Sequence, residues 1–351
     1  MRKTTIILLL AWTAVNACWA QYFDNTSEEP FKNLDLSVTL GTTGLGFDVS
    51  TPLSKTVRIR SGFEVVPHVE MDMHFDIQSF DVNGNLQDAQ FDKMAQTLQQ
   101  FTGYKADRTV TMVAKPTFWN FKFLVDVFPF RNKHWHLTTG FHWGPSKIGE
   151  AINSLSDAPS LVAVNIYNNL YNKVQNFEPV ISDIVITGER RDQVLANGRM
   201  GILLGNMKGE YITETTYALD DEGNVIFDDD GNVKMVEQYV LDANGNKIPK
   251  PYRMEPDENC QVRAEATVNY FRPYLGFGYG GRLFKKDDRY QVSFDAGLMF
   301  WGGTPSVITH DGTNLSKDVE DIPGKVGSYV DFISGIKAYP VINLRITRRL
   351  F

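Results

Sequence analysis

The chain has 351 residues, 42% hydrophobic, 22% charged and 12% aromatic, with a net charge of −7. It is too apolar for a disordered chain, and its acidity excludes broad nucleic-acid binding, which needs a basic surface. Cys18 and Cys260 are too few for a disulfide framework or a CxxC zinc site.

The chain begins with Met1-Arg2-Lys3, then an apolar stretch from Thr4 to Val15, then Ala17-Cys18-Trp19-Ala20. A basic start, an apolar middle and small residues before a cut form the layout of a secretory signal peptide. Residues 1–20 are therefore expected to be removed after Ala20. A lipoprotein signal with Cys18 as the lipidated residue stands as an alternative, and Val15-Asn16-Ala17 fits that box poorly. Removal of Arg2 and Lys3 takes the charge from −7 to −9. Beyond residue 20 no apolar run approaches the roughly 20 residues that a membrane-spanning helix needs.

Past the leader the chain alternates with a period of two. Leu34, Leu36, Val38 and Leu40 fall on one face, with Asp35, Ser37 and Thr39 on the other. The same holds for Val57, Ile59, Phe63 and Val65 against Arg58, Arg60, Gly62 and Glu64. Trp119, Phe121, Phe123, Val125 and Val127 alternate with Asn120, Lys122, Leu124 and Asp126. Trp135, Leu137, Phe141 and Trp143 alternate with His134, His136, Thr138, Gly140 and His142. Later, Val292, Phe294, Ala296, Leu298 and Phe300 alternate with Gln291, Ser293, Asp295 and Gly297. Such runs have the length and pattern of strands that are apolar outward and polar or small inward.

The connections alternate too. Short turns are expected at Thr51–Lys55, Pro129–Lys133 and Lys285–Asp288, and a tight one at Gly41–Gly44. The long excursions are near 67–108, 145–262 and 302–334. The count closes at about eight strands. The predicted fold is all-β: an antiparallel up-and-down transmembrane β-barrel over 21–351, because only a closed sheet leaves no unsatisfied edge in lipid. The sixth strand, Glu265 to Arg282, contains Pro273, which cannot donate to a ladder and predicts a bulge there. Gly276, Gly278 and Gly280 in that strand leave room where the wall bends or where large interior side chains press from across the lumen.

Two segments decide what the long loops hold. Ile148 to Phe177 has helical spacing and predicts one or two amphipathic helices. A motif recurs as Leu219–Val225, Phe227–Val233, Leu241–Lys247 and Phe80–Leu86, each with Asp and Gly placed as in a hairpin tip. The largest loop is thus expected to carry a β-hairpin extension. From Met207 to Cys260 it holds thirteen Asp or Glu against five Lys or Arg. Asp228 and Asp230 have the chemistry of calcium ligands, but no downstream Glu completes such a loop, and a solvated turn is the simpler account.

The last strand, Tyr339-Pro340-Val341-Ile342-Asn343-Leu344-Arg345-Ile346-Thr347, ends on Phe351 and resembles the C-terminal assembly signal of bacterial outer-membrane barrels. Phe351 shares parity with Arg345, Thr347 and Arg349, so either a bulge near Arg348 shifts the register or the signal is degenerate. Segments such as Leu40–Phe47, Val125–Phe130 and Tyr274–Gly280 resemble the small outer-membrane β-barrel proteins of Bacteroidota, porin-family barrels of the OmpA or OmpX kind. The resemblance covers the strands, about half the chain. It implies an outer-membrane location and a barrel fold, with outer-membrane lipid and lipopolysaccharide around it, assembly machinery reading its last strand, and any extracellular ligand at its loops.

Parity places Arg58, Arg60, Glu64, Lys122, Asp126, His136, Asp295 and Arg345 inside the barrel. An eight-stranded barrel is narrow and its interior is filled by side chains, so charges of both signs should pair. Asp295 and Arg345, on adjacent strands, are natural partners. The expected role is structural or surface-binding, without catalysis. A narrow channel is the alternative, and a rim enzyme using His142 with Ser146, or His68 with His74, is the third reading. No phosphate loop, dinucleotide fingerprint or metal-ligand cluster is present, so no cofactor is expected.

Overall fold

The computed structural model describes residues 31–350 apart from 68, 80–90, 94, 97–98, 101–102, 104–105, 219–225, 227–233 and 285. The leader, Cys18, Phe351, His68 and three copies of the hairpin motif lie outside the described residues.

Eight antiparallel strands close into a barrel: β1 (Asp35–Gly41), β2 (Gly44–Pro52), β3 (Val57–Val65), β6 (Trp119–Val127), β7 (Trp135–Trp143), β14 (Phe271–Phe284), β15 (Asp287–Phe300) and β18 (Ala338–Arg349). Their order around the wall is β1-β18-β15-β14-β7-β6-β3-β2, with β2 paired to β1. The alternation decides the register. A slip of one residue would turn every Leu, Val and Phe of a strand inward and every charge outward. In β1 the exposed residues are Leu36, Val38 and Leu40, while Asp35, Ser37 and Thr39 are buried.

The turns at one end are short, as expected. The turn between β14 and β15 is tighter than predicted, because β14 runs to Phe284 and β15 begins at Asp287, with a register shift between Arg282 and Phe284. No bulge occurs at Pro273, which pairs with Phe141 in an unshifted ladder. Gly144 N donates to Tyr270 O and Gly280 N to His134 O, so the even residues of β14 bond to β7. The Pro273 nitrogen therefore faces β15, where pairing begins only at Tyr274. Its missing donor falls just beyond the last pair. No bulge occurs near Arg348 either. The β1–β18 pairing is unshifted from Asn343 to Arg349, and Leu350 N continues it to Leu34 O.

The long excursions fold together into a second sheet, and not into separate loops with one hairpin extension as the sequence predicts. This sheet contains β4 (Met71–Ser79), β5 (Thr109–Pro116), β8 (Lys147–Asn153), β9 (Met200–Tyr211), β12 (Pro249–Met254), β13 (Arg263–Thr267), β16 (Ser306–Thr309) and β17 (Val319–Glu320). The order is β12-β9-β4-β5-β8-β13-β16, with β17 on β9. The run β4-β5-β8-β13-β16 repeats the order of β3, β6, β7, β14 and β15 below it, so five wall strands continue into a head. Backbone pairing persists through the crossing: Val66 N to Phe118 O, Thr117 N to Ile148 O, and Val268 N to Ser146 O. Strands β1, β2 and β18 stop at the mouth.

The head has its own core, made of Ile77, Val110, Met112, Leu161, Val164, Met200, Ile202, Leu204, Met254 and Val330 among others. Each such side chain, fully buried, contributes about 1.5–3 kcal/mol. The helices α1 (Ala158–Gln175), α2 (Glu189–Ala196) and α3 (Gly324–Gly335) belong to this head. The expected helical region from Ile148 divides: its first residues form β8, and α1 starts only after Asn153-Ser154, with Pro159 in its first turn. The hairpin β10 (Thr213–Tyr217) with β11 (Met235–Tyr239) projects from β9 as the predicted extension. In the described copy of the motif, Leu241 pairs with Lys247, Gly245 takes φ 81°, and the Asp242 carboxylate accepts from Asn244 N and Asn246 N. Those donors hold the Asp242 carboxyl below its ordinary range.

No helix among the described residues is long and apolar enough to cross a membrane, which says nothing about a barrel.

Candidate functional site

The lumen is densely charged, and it is layered. At the short-turn end Arg58 lies 3.4 Å and Arg349 3.7 Å from Asp35, with the Arg58 guanidinium over the Phe128 ring. In the middle Arg60 reaches Asp126 at 3.0 Å, Asp48 at 3.7 Å and Asp295 at 3.8 Å. Arg345 lies 3.2 Å from Asp295 and 3.5 Å from Asp126, and His136 Nε2 lies 2.7 Å from Asp295. Above them Lys122 joins Asp48 at 2.9 Å and Glu64 at 3.3 Å, and Glu64 also accepts from Thr43, Asn120 and His142.

Two of these contacts decide what the lumen can do. In the strand order β3 stands diametrically opposite β15, and β6 opposite β18. Arg60–Asp295 and Arg345–Asp126 are therefore crossbars through the centre of the barrel. Gly278 makes room for them: a Cβ there would run into Asp295 Oδ1 and the His136 ring. Arg60, Lys122, Asp126, Asp48 and Asp295 are all buried. An ion or solute passing through would have to break pairs that water no longer solvates, at several kcal/mol each.

The mouth is closed by a different chemistry. Arg272, fully buried, donates to Asn120 Oδ1, to the Pro145 carbonyl and to Asn269 O at 2.9 Å. Its guanidinium sits over the rings of Phe118 and Trp301, and Trp301 packs on Tyr339. Together with Val268, Met299 and Val341 these form an apolar layer between lumen and head.

All eight residues that parity places inside, Arg58, Arg60, Glu64, Lys122, Asp126, His136, Asp295 and Arg345, face this lumen. Arg58 is the most accessible of them, at the short-turn end. Sequence reasoning missed Asp48, Arg272 and Arg349 as members. Asp48 lies two residues before Ser50 on the inward parity of β2, a signal present in the sequence, whereas Arg272 precedes a proline in a strand whose start no local pattern marks. His142 and Ser146 do not come together. His142 points into the lumen and bonds Glu64, while Ser146 Oγ donates to Val268 O. His74 pairs with Thr111.

In the head, a polar cleft of about 320 Å³ is lined by Asn165, Asn169, Asn172, Arg199, Glu255 and Glu258 with others. Most of its polar groups are occupied locally. Asn165 donates to Asp257 O, Asn172 accepts from Arg199, and the hydrogen bonds of Arg199 to Glu255 hold that guanidinium above its ordinary value. No group of three or more His, Cys, Asp or Glu side chains placed to hold a metal ion occurs among the described residues.

No protein family matches the chain in sequence, and no curated protein is similar to it. Two crystal structures of Acinetobacter baumannii proteins show a likeness in fold. CarO2 has 10% identity and a TM-score of 0.34, covering 92% of this chain and 100% of that one. CarO has 11% identity and a TM-score of 0.33, covering 92% and 99%. Likeness at that level assigns neither a family nor a role.

Proposed function

We propose that this chain is an outer-membrane barrel whose lumen is plugged by side chains and whose head serves a structural or surface-binding role without catalysis. The observation that carries the reading is the pair of crossbars, Arg60–Asp295 and Arg345–Asp126, that join opposite walls through the centre. The outer wall supports the location. Leu36, Val38, Leu40, Phe47, Phe63, Leu137, Phe277, Phe294, Leu344 and Ile346 are exposed on it, on strands of 7 to 14 residues, a range that brackets the roughly 9–11 residues of a tilted transmembrane strand. In water so large an apolar band would drive association. On this reading the chain is exported by residues 1–20, sits among outer-membrane lipid and lipopolysaccharide, is assembled through β18, and meets any extracellular ligand at the head. The origin in Bacteroidota belongs to the same proposal.

Planar-bilayer recording of purified protein tests the plug, with no steady conductance expected; a stable open level would overturn it. Migration of unboiled against boiled protein on an SDS gel tests the barrel in its membrane, since closed barrels resist SDS until heated. Identical migration, with solubility in the absence of detergent, would overturn the location.

A further inference from the structure

The apolar wall is not uniform at its mouth. The uppermost outward residues of β6, β7, β14 and β15 are aromatic: Trp119, Trp143, Phe271 and Phe300, all exposed. On β3, β2, β1 and β18 they are Val65, Leu45, Leu40 and Pro340, none of them aromatic. Half of the rim therefore carries the aromatic belt that anchors a protein at a membrane–water interface, and half lacks it.

Helix α3 stands beside the half that lacks it. Its inner face, with Val326, Val330 and Ile333, packs into the head core. On its outer face Tyr329 is 41% and Phe332 67% exposed, three residues apart and so on one side of the helix. The helix ends at Gly335 and β18 begins at Ala338. A helical rise to Gly335 and extended residues after it leave at most about 15 Å between Phe332 and Ala338. That short connection is pinned to the rim: Trp301 N donates to Lys337 O, Thr42 Oγ1 to Pro340 O, and Tyr339 OH to Thr42 O.

We propose that α3 is an interfacial helix that seats Tyr329 and Phe332 in the outer-leaflet headgroup layer, completing the aromatic belt above β18 and β1. This rests on the membrane location proposed above. The occupant of the exposed face is lipid, because the short connection holds Phe332 close to the outward rim of β18, the level at which aromatic side chains favour the membrane–water interface. Its inner face is held by the head, so α3 also couples the head to the bilayer surface.

Spin-label accessibility in vesicles of phosphatidylcholine and phosphatidylglycerol tests this, using the full chain with Cys18→Ser and Cys260→Ser as background. Nitroxides are placed by Phe332→Cys, by Leu344→Cys on the outer wall, and by Asn244→Cys on the hairpin turn. Collisions with oxygen should exceed those with an aqueous nickel chelate at positions 344 and 332, more strongly at 344, and the order should reverse at 244. Oxygen preference at 344 with nickel preference at 332 overturns the interfacial helix and leaves the barrel in its membrane. Nickel preference at 344 removes the membrane reading and this proposal with it. Dipolar broadening at 332 that vanishes on dilution with unlabelled protein would assign the face to a second copy of the chain, and would also overturn it.

Discussion

Asp126 shows how the lumen works at the scale of a residue. It accepts from Arg60 at 3.0 Å and from Thr138 at 2.8 Å, and it faces Arg345 from the opposite wall. Its value lies less in net attraction than in cancelling two cations that cannot reach water. Asp126→Asn keeps the shape and removes the charge, and should cost about 3–5 kcal/mol. The temperature at which the folded band disappears on unboiled gels should fall accordingly. The double replacement Asp126→Leu with Arg345→Leu removes both members of one crossbar and should cost clearly less than Asp126→Asn. If the two variants were equally damaging, the crossbar would be a packing feature and not an electrostatic one.

Among the elements, the β1–β2 turn is the most constrained. Gly44 takes φ 94°, and a Cβ there would run into the Val65 carbonyl oxygen on β3. Gly209, with φ 74°, has nothing within 4 Å of a built Cβ. Gly209→Ala should therefore cost only the backbone penalty of roughly 1–2 kcal/mol. Gly44→Ala adds a steric clash within the wall and should lower refolding yield in detergent far more. Comparing the two by urea unfolding separates conformational strain from loss of space. Elsewhere the elements obey their local signals, as Asp242 and Gly245 do in closing their turn.

Across the whole molecule, the head sheet has two edges, β12 and β16, that side chains bridge. Tyr252 on β12 bonds Thr309 on β16 at 2.7 Å and both oxygens of Asp311 at 2.9 and 3.0 Å. Burial pushes the Tyr252 hydroxyl up to about 12, from an ordinary value near 10. A folded-state value raised in this way gives stability that is complete below about pH 10 and is lost as the pH rises towards 12. The loss should reach about 2–3 kcal/mol. Hydrogen exchange of the β12 and β16 amides across that range should show the seam loosening, and Tyr252→Phe should abolish the alkaline dependence. An unchanged dependence in that variant would place its origin elsewhere. Neither edge is open to a further strand, since Pro249 and Pro251 interrupt β12 and the return segment bonds β16 through Leu315 N to Val307 O.

The barrel was legible in the sequence because its determinants are local. Strict alternation from Leu36 to Leu40, from Trp119 to Val127 and from Trp135 to Trp143 sets inside from outside, and a two-sided wall admits one register only. That reasoning reached Arg60, Asp126, Asp295 and Arg345. What it could not supply was which of them meet, because Arg60 and Asp295 are joined by barrel closure and not by any spacing along the chain. The head was hidden for the same reason. The burial of its strands β4, β5, β8 and β13 comes from a core shared among distant segments. Ile148–Asn153 becomes a strand only because β5 and β13 flank it, pairing Lys115 and Glu265 with Glu150. Local pattern thus determined the wall, the turns and the polar lumen. Only the tertiary structure decided the crossbars, the Arg272 cap and the head, since these depend on contacts whose partners are separated by scores of residues and brought together only when the sheet closes.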